Sequence, residues 1–430
     1  MSDSAKPSES RRGFLKTTAG ALAGAGALAQ TAKGVAAGEA IKVGLVGCGG
    51  RGTGAAAQAI KADDFSELTA VADVDPERID RSLEILDKRH PGKVKVEAER
   101  RYLGLDAFQK VIDSDVDVVL LATPPGFRPQ HLRACIEAGK HVFCEKPVAV
   151  DAPGIRSVLK TVKLAQQKQL SLVAGFCWRY HDAIRGIFEK VHDGAIGDLV
   201  SYYATYYTSP VKPMPPATDR PEGMSDTEWQ IRNWYNFGWL SGDSLIEQAV
   251  HSVDKVAWAM RDSPPESCVA VGGRQIPAHG GNIFDHFEVN YLYPGGVRAF
   301  VGCRQQAGCH NENSDYILGT RGRAIIGRRL APHIIGERHW AYEGPKVDMY
   351  QQEHDELFRS IRRGEPLNDG ERMTTSTLLA IMGRMAAYTG QEITWQQALE
   401  SEESLVPEHI DWDAAHEVPG LAQPGITRFV

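Results

Sequence analysis

Glu247 and His251 stand four residues apart in the run GDSLIEQAVHSVD (Gly242–Asp254), the spacing that puts two side chains on one face of a helix. An imidazole titrates near neutral pH and is the natural acceptor for a proton leaving an alcohol. A carboxylate one turn earlier can orient or tune it. Lys146 adds a third group from elsewhere in the chain. Its ammonium can hydrogen-bond a reacting oxygen, stabilise developing negative charge or share a proton relay. Together these groups suit oxidation of a secondary alcohol, with hydride leaving the carbon for a nicotinamide. A Glu–His pair at this spacing is also a common surface pair, so the chemistry needs a cofactor site to go with it.

Ile41–Gly52, reading IKVGLVGCGGRG, supplies that site. A β-branched run ends in Gly47, Gly49 and Gly52, spaced G-x-G-x-x-G, with Cys48, Gly50 and Arg51 between them. Gly47 permits a tight turn, Gly49 leaves room for a pyrophosphate, and Gly52 lets the following helix pack on its strand. The free N–H groups of that helix then face the phosphates. The next strand ends in Asp73, 21 residues after Gly52. A carboxylate there holds the ribose hydroxyls of NAD and repels the 2′-phosphate of NADP. The motif alone is weak in a chain with 43 glycines. The strand before it, the helix after it and the acid beyond make it a dinucleotide-binding loop with NAD as cofactor.

The elements that position these groups fall into two halves. Strands expected at Ile41–Val46, Leu68–Asp73, Asp117–Ala122, His141–Cys144 and Leu172–Phe176 alternate with helices at Arg51–Lys61, Pro76–His90, Arg128–Ala138 and Ala152–Gln169. That alternation predicts an α/β fold, a doubly wound parallel sheet of the Rossmann type. Beyond Tyr180 come alternating runs at Leu199–Tyr207, Cys268–Gly272, His286–Leu292, Gly296–Gln305, Tyr316–Gly319 and Arg323–Ile326, with turns at Tyr293–Gly296 and Thr320–Gly322. This half is expected to be an α+β domain with a large, mostly antiparallel open sheet and helices near Gln351–Arg363 and Thr374–Thr389. Val211–Asp226, rich in proline and polar residues, reads as a long functional loop leading into Trp229, Trp234, Tyr235, Phe237 and Trp239. Aromatic faces suit the apolar faces of sugars, and core packing explains such residues equally well.

In front of the glycine loop, Ser10–Lys16 reads SRRGFLK, followed by the mildly apolar run Thr17–Ala32 and the small residues Val35-Ala36-Ala37. This layout matches a cleaved signal of the twin-arginine type and predicts an exported, periplasmic protein. Residues 1–37 are therefore set apart as signal, 38–177 as the NAD-binding domain and 178–430 as the substrate-binding and oligomerisation domain. Removing residues 1–37 takes the formal charge from −7 to −10, which argues against nucleic acid or an anionic membrane as partner. No later run is long and apolar enough for a membrane span. The seven cysteines form no C-x-x-C pair and, being odd in number, no disulfide framework. Cys303, Cys309 and His310 lack further ligands, so no metal is expected.

Thr123-Pro124-Pro125 after a strand, then HLRACIEAGKHVFCEKPVAVD (His131–Asp151), together with Gly242–Asp254, resemble the signature of the glucose–fructose oxidoreductase, inositol dehydrogenase and MocA family. The resemblance runs from the glycine loop through the C-terminal sheet. It implies a nicotinamide cofactor, a sugar-like or polyol substrate and a homo-oligomer, dimer or tetramer, formed through the open sheet face. It adds Thr123, Pro124, Pro125, His131, Glu145 and Lys146 to the cofactor contacts and makes Lys146, His251 and Glu247 the catalytic group. Substrate contacts are expected at Arg179, Tyr180 and His181 in the domain junction, and at Trp234 and Asp254. The chain departs from the family pattern with Glu247 in place of Asp and Ala249 in place of Gly; Asp243 and Gln248 are also unusual there.

The expected activity is NAD-dependent oxidation of a secondary hydroxyl of a sugar, glycoside or polyol. Because free NAD is scarce outside the cytoplasm, the nucleotide is expected to be tightly held and recycled in place. Two other readings stand beside it. One is a glycosidase or lyase that oxidises its sugar only transiently, and the other is a non-catalytic sugar-binding protein.

Overall fold

A computed structural model describes residues 34–36, 38–276, 280–327 and 331–430. The twin-arginine run Ser10–Lys16 and the apolar stretch Thr17–Ala32 lie outside the described residues.

The first sheet holds six parallel strands: β1 (Ile41–Val46), β2 (Ser66–Asp73), β3 (Arg101–Leu103), β4 (Val118–Leu121), β5 (His141–Cys144) and β6 (Leu172–Ala174). Their order is β3-β2-β1-β4-β5-β6. β4 reads VVLL and is buried throughout, as a strand covered on both faces must be. The chain winds outward in opposite directions from β1, so a crevice opens at the carboxyl ends of β1 and β4. Helix Gly50–Ala62 follows β1 directly, and helix Pro76–Arg89 follows β2. Asp75 caps the latter by accepting from the Glu77 N–H at 3.1 Å.

The second sheet holds nine strands: β7 (Leu199–Thr208), β8 (Ser267–Gly273), β9 (His286–Leu292), β10 (Arg298–Gln305), β11 (Glu312–Gly319), β12 (Gly322–Ile326), β13 (His333–Gly336), β14 (Trp340–Ala341) and β15 (Ile393–Thr394). Their order is β14-β13-β12-β11-β7-β10-β9-β8-β15. Every pair is antiparallel except β7 with β10. Tyr202, Ala204, Val289, Tyr291, Ala299 and Val301 point inward and are buried under helices Val250–Ala259 and Gly370–Thr389. The opposite face keeps Val269, Val271, Tyr203, Leu318 and Ile335 exposed.

The α/β class with its parallel Rossmann sheet and mostly antiparallel second sheet matches expectation. The short strands β3, β13, β14 and β15 have no counterpart in the sequence expectation. Runs of two to four residues carry too few alternations to show a period. The strand expected from Gly296 starts at Arg298, because Gly295 and Gly296 both take positive φ in the turn. Among the described residues no helix is long and apolar enough to cross a membrane.

Candidate active site

A cleft of about 660 Å³ opens where β1 and β4 end, and Gly47 to Gly52, Asp73, Thr123, Pro124, His131 and Trp234 line it. The glycines divide the work. Gly47 has φ +99°, and a Cβ there would lie 2.8 Å from the Ala122 backbone. At Gly52 a Cβ would lie 1.8 Å from the Gly47 carbonyl oxygen, so strand and helix touch through these two positions. At Gly49 and Gly50 a Cβ would meet nothing within 4 Å, so the space beside them is open. The Cys48 N–H donates to Asp73 Oδ2 at 2.6 Å, and the Asp75 N–H donates to Oδ1 at 3.1 Å. Those bonds fix the carboxylate at the end of β2, facing the cleft. Open glycine backbone and a fixed carboxylate on the wall of one cleft fit a dinucleotide.

His131 is buried, 3.2 Å from the Thr123 hydroxyl, and stacks on Phe108 at 4.0 Å. Burial pushes its imidazole down to about 3, so it stands there as a neutral ring. Pro125 is buried in the turn after β4 and does not line the cleft. Arg51, in the cleft lining, pairs with Glu145 and, at 2.9 Å, with Glu353. Sequence reasoning missed Arg78, Arg81 and Arg89, which line the cleft from helix Pro76–Arg89. Their spacing along one helix face was the available signal.

Lys146 follows β5 on a buried segment beside β4. Its Nζ donates to the Glu247 carbonyl oxygen and, at 3.2 Å, to Glu247 Oε1. Both residues are almost fully buried. Glu247 Oε2 accepts from Gln248 Nε2 at 2.6 Å, and the Tyr206 hydroxyl donates to Gln248 Oε1 at 2.9 Å. Leu245–Ala249 forms a π-helical turn that runs into helix Val250–Ala259. Such turns recur where a helix must present side chains off its regular register. Helix Val250–Ala259 carries His251 on its first turn. Part of the His251 surface remains accessible, but protein closely surrounds the ring. Burial, with the positive charges of Lys146, Lys255 and Arg51, holds the imidazole well below its ordinary range. Its Nδ1 has no partner among the described residues.

Four expected substrate contacts are corrected. Arg179 is buried and forks onto Asp254, with Nη2 2.9 Å from Oδ1 and Nε 3.0 Å from Oδ2, and also pairs with Asp262. Asp254 also accepts from the Ser376 hydroxyl at 2.8 Å. Tyr180 is fully buried and donates to Asp369 at 2.6 Å. Arg179 and Asp254 satisfy each other and brace the helix that carries His251, whereas Tyr180 is tied to Asp369. None lines the cleft, and Glu145, Lys146, Glu247 and His251 also lie outside its lining. His181 sits at the N-terminus of helix Asp182–His192 beside Trp178, makes no side-chain capping bond, and is likewise absent from the cleft wall. Among the described residues no group of three or more His, Cys, Asp or Glu could hold a metal.

Residues 41–176 match the profile of the oxidoreductase family with an NAD-binding Rossmann fold, and 184–325 match the GFO/IDH/MocA C-terminal domain. The chain belongs to the Gfo/Idh/MocA family. The matched profile is that of oxidoreductases with an NAD-binding Rossmann fold. One relative is trans-1,2-dihydrobenzene-1,2-diol dehydrogenase from Mus musculus, 29% identical over 232 residues. That match covers 53% of this chain and 60% of the mouse enzyme. Another is myo-inositol 2-dehydrogenase from Thermotoga maritima, 27% identical, with 76% of this chain and 90% of that enzyme covered. Among solved structures, levoglucosan dehydrogenase in complex with NADH and levoglucosan superposes with a TM-score of 0.66 at 18% identity. It covers 83% of this chain and 99% of that one. Aldose-aldose oxidoreductase from Caulobacter crescentus gives 0.64 at 18% identity, with 83% of this chain and 100% of that one covered. At such identity the structural likeness shows the fold alone.

Proposed function

We propose that this Gfo/Idh/MocA protein oxidises a secondary hydroxyl of a sugar, glycoside or polyol. The observation that carries the reading is the Lys146 ammonium held on Glu247, with His251 one turn further along the same segment. When bound, the nicotinamide supplies the hydride acceptor for the carbinol carbon. His251, kept neutral by its surroundings, takes the hydroxyl proton. The Lys146 ammonium stabilises negative charge developing on the same oxygen, in a setting where water is excluded and the interaction is strong. Glu247 fixes the direction of that ammonium through two acceptors, while Gln248 and Tyr206 fix Glu247. Trp234, on the cleft wall, offers an aromatic face to the sugar ring.

The SRRGFLK leader supports export through the twin-arginine machinery to the periplasm. There the substrate pair is redox-neutral: one alcohol is oxidised and a second carbonyl is reduced without exchange of the nucleotide. The curated and structural relatives named as inositol and sugar oxidoreductases agree with this substrate class. Residues 38–177 bind the nucleotide and 178–430 bind substrate and a second copy. The exposed Val269, Val271, Tyr203 and Leu318 support assembly through the open sheet face. Sedimentation of Val271→Glu is expected to show a smaller particle than the wild type, and an unchanged mass would remove this assignment.

Incubating the purified, NAD-loaded protein with a panel of mono- and disaccharides and polyols tests the activity by mass spectrometry. A product lighter by two hydrogens is expected. No product from any member of the panel would overturn the reading. Denaturing the exported protein should release stoichiometric nucleotide, and an empty protein with weak NAD affinity would contradict its residence.

A further inference from the structure

Asp243 takes φ +120°, a backbone region that favours glycine, immediately before the turn that carries Glu247. A side chain persists in such a conformation when its surroundings fix it, and here they do. Asp243 is fully buried. Its carboxylate accepts from the Tyr388 hydroxyl, the Ser244 N–H, the Ser244 hydroxyl at 3.0 Å and the Phe284 N–H at 2.9 Å. These donors come from three separate places in the chain: the active-site turn, the entry to β9, and helix Gly370–Thr389.

The main chain at Asp243 reaches the active site directly. Its carbonyl oxygen accepts from the Glu247 N–H at 2.8 Å and from the Ile246 N–H at 3.1 Å. Glu247 in turn holds the Lys146 amine through both its carbonyl and its carboxylate. Arg384, one turn before Tyr388 on the same helix, closes the loop. It donates to the Val150 carbonyl at 2.7 Å and to the Gly242 carbonyl at 3.2 Å. Val150 lies four residues beyond Lys146, and Gly242 precedes Asp243. One helix therefore grips the lysine segment of the nucleotide half and the glutamate segment of the other half.

We infer that Asp243, tied to Tyr388 and flanked by Arg384, is a positioning residue that sets the Lys146–Glu247–His251 geometry across the two halves. The inference rests on the catalytic reading for its effect on turnover. Its geometric content can be tested without any substrate.

The test compares Asp243→Gly, which restores backbone freedom and removes the carboxylate, with Tyr388→Phe, which leaves the backbone alone. Competitive acetylation of each folded protein, read by mass spectrometry, reports how tightly each lysine amine is held. Lys255, buried and paired with Asp315, is the internal control. Lys146 labelling is expected to rise by about tenfold in both variants with Lys255 unchanged. Unchanged Lys146 labelling, or a parallel rise at both lysines, would overturn the inference. On a sugar turned over by the wild type, kcat is expected to fall by about ten- to a hundredfold with KM held within about twofold. If Lys146→Ala abolishes turnover while both variants keep the wild-type kcat, the brace is refuted and the catalytic reading stands. If Lys146→Ala is itself silent, the catalytic reading fails, and the labelling still decides the brace.

Discussion

At the scale of single residues, His251 is neutral in the folded protein because burial and three neighbouring cations disfavour its charged form. A depressed folded-state pKa keeps a base available as the solution is acidified. The acid limb of kcat/KM is therefore expected below pH 6.5, the ordinary value of an imidazole. A limb at or above that value would show that His251 is not the base. His251→Asn should lower kcat by about 10² to 10⁴ while leaving NAD affinity unchanged. Spacing and family resemblance pointed to Lys146, Glu247 and His251, and the structure brings the first two into contact. Arg179, Tyr180 and Asp254 read in sequence as candidate substrate contacts. Their partners lie 75 to 189 residues away, and no local pattern reveals that such polar groups are already satisfied. The same limit hid Asp243, whose donors come from three distant segments.

At the scale of elements, the strand–loop–helix unit was legible because its glycines have distinct geometric duties. Gly49 has φ −67°, which any residue adopts, and its Cβ position is open on the protein side. Gly49→Ala is expected to leave stability within about 0.5 kcal/mol and to weaken NAD binding by about tenfold or more. Gly52→Ala presses a methyl against the Gly47 carbonyl and is expected to cost about 1–3 kcal/mol of stability. Calorimetric melting and NAD titration separate the two effects; equal stability loss in both variants would contradict these roles. The long strands of both sheets showed their period, and the turn at Tyr293–Gly296 announced itself through proline and glycine. The short edge strands and the π-helical turn at Leu245–Ala249 did not, since their form depends on neighbours rather than on local composition.

At the scale of the whole molecule, three imidazoles besides His251 bear on stability. Burial pushes His131 and His354 to about 3 and His141 to about 4. Each sits below the unfolded value, so the unfolded chain binds more protons between those values and about pH 6.5. Stability is therefore present above that window and is lost as pH falls through it, by up to about 1.4 kcal/mol per pH unit for each imidazole. Asp243 has the opposite sign, since burial raises it to about 6 and its protonated form is favoured in the fold. Urea unfolding at neutral and mildly acidic pH should show lower stability in acid, whereas a rise would mean that buried carboxylates outweigh the imidazoles. Both halves contribute to the proposed chemistry, Lys146 from one and Glu247 and His251 from the other.

The most direct test is therefore single-turnover oxidation of a sugar by NAD-loaded wild type and Lys146→Ala, followed by the near-ultraviolet absorbance of reduced nucleotide. The predicted result is rapid reduction in the wild type and a loss of at least about a hundredfold in the variant, with equal NAD occupancy in both. Equal rates in the two proteins would contradict the proposal that this chain oxidises sugars through Lys146, Glu247 and His251.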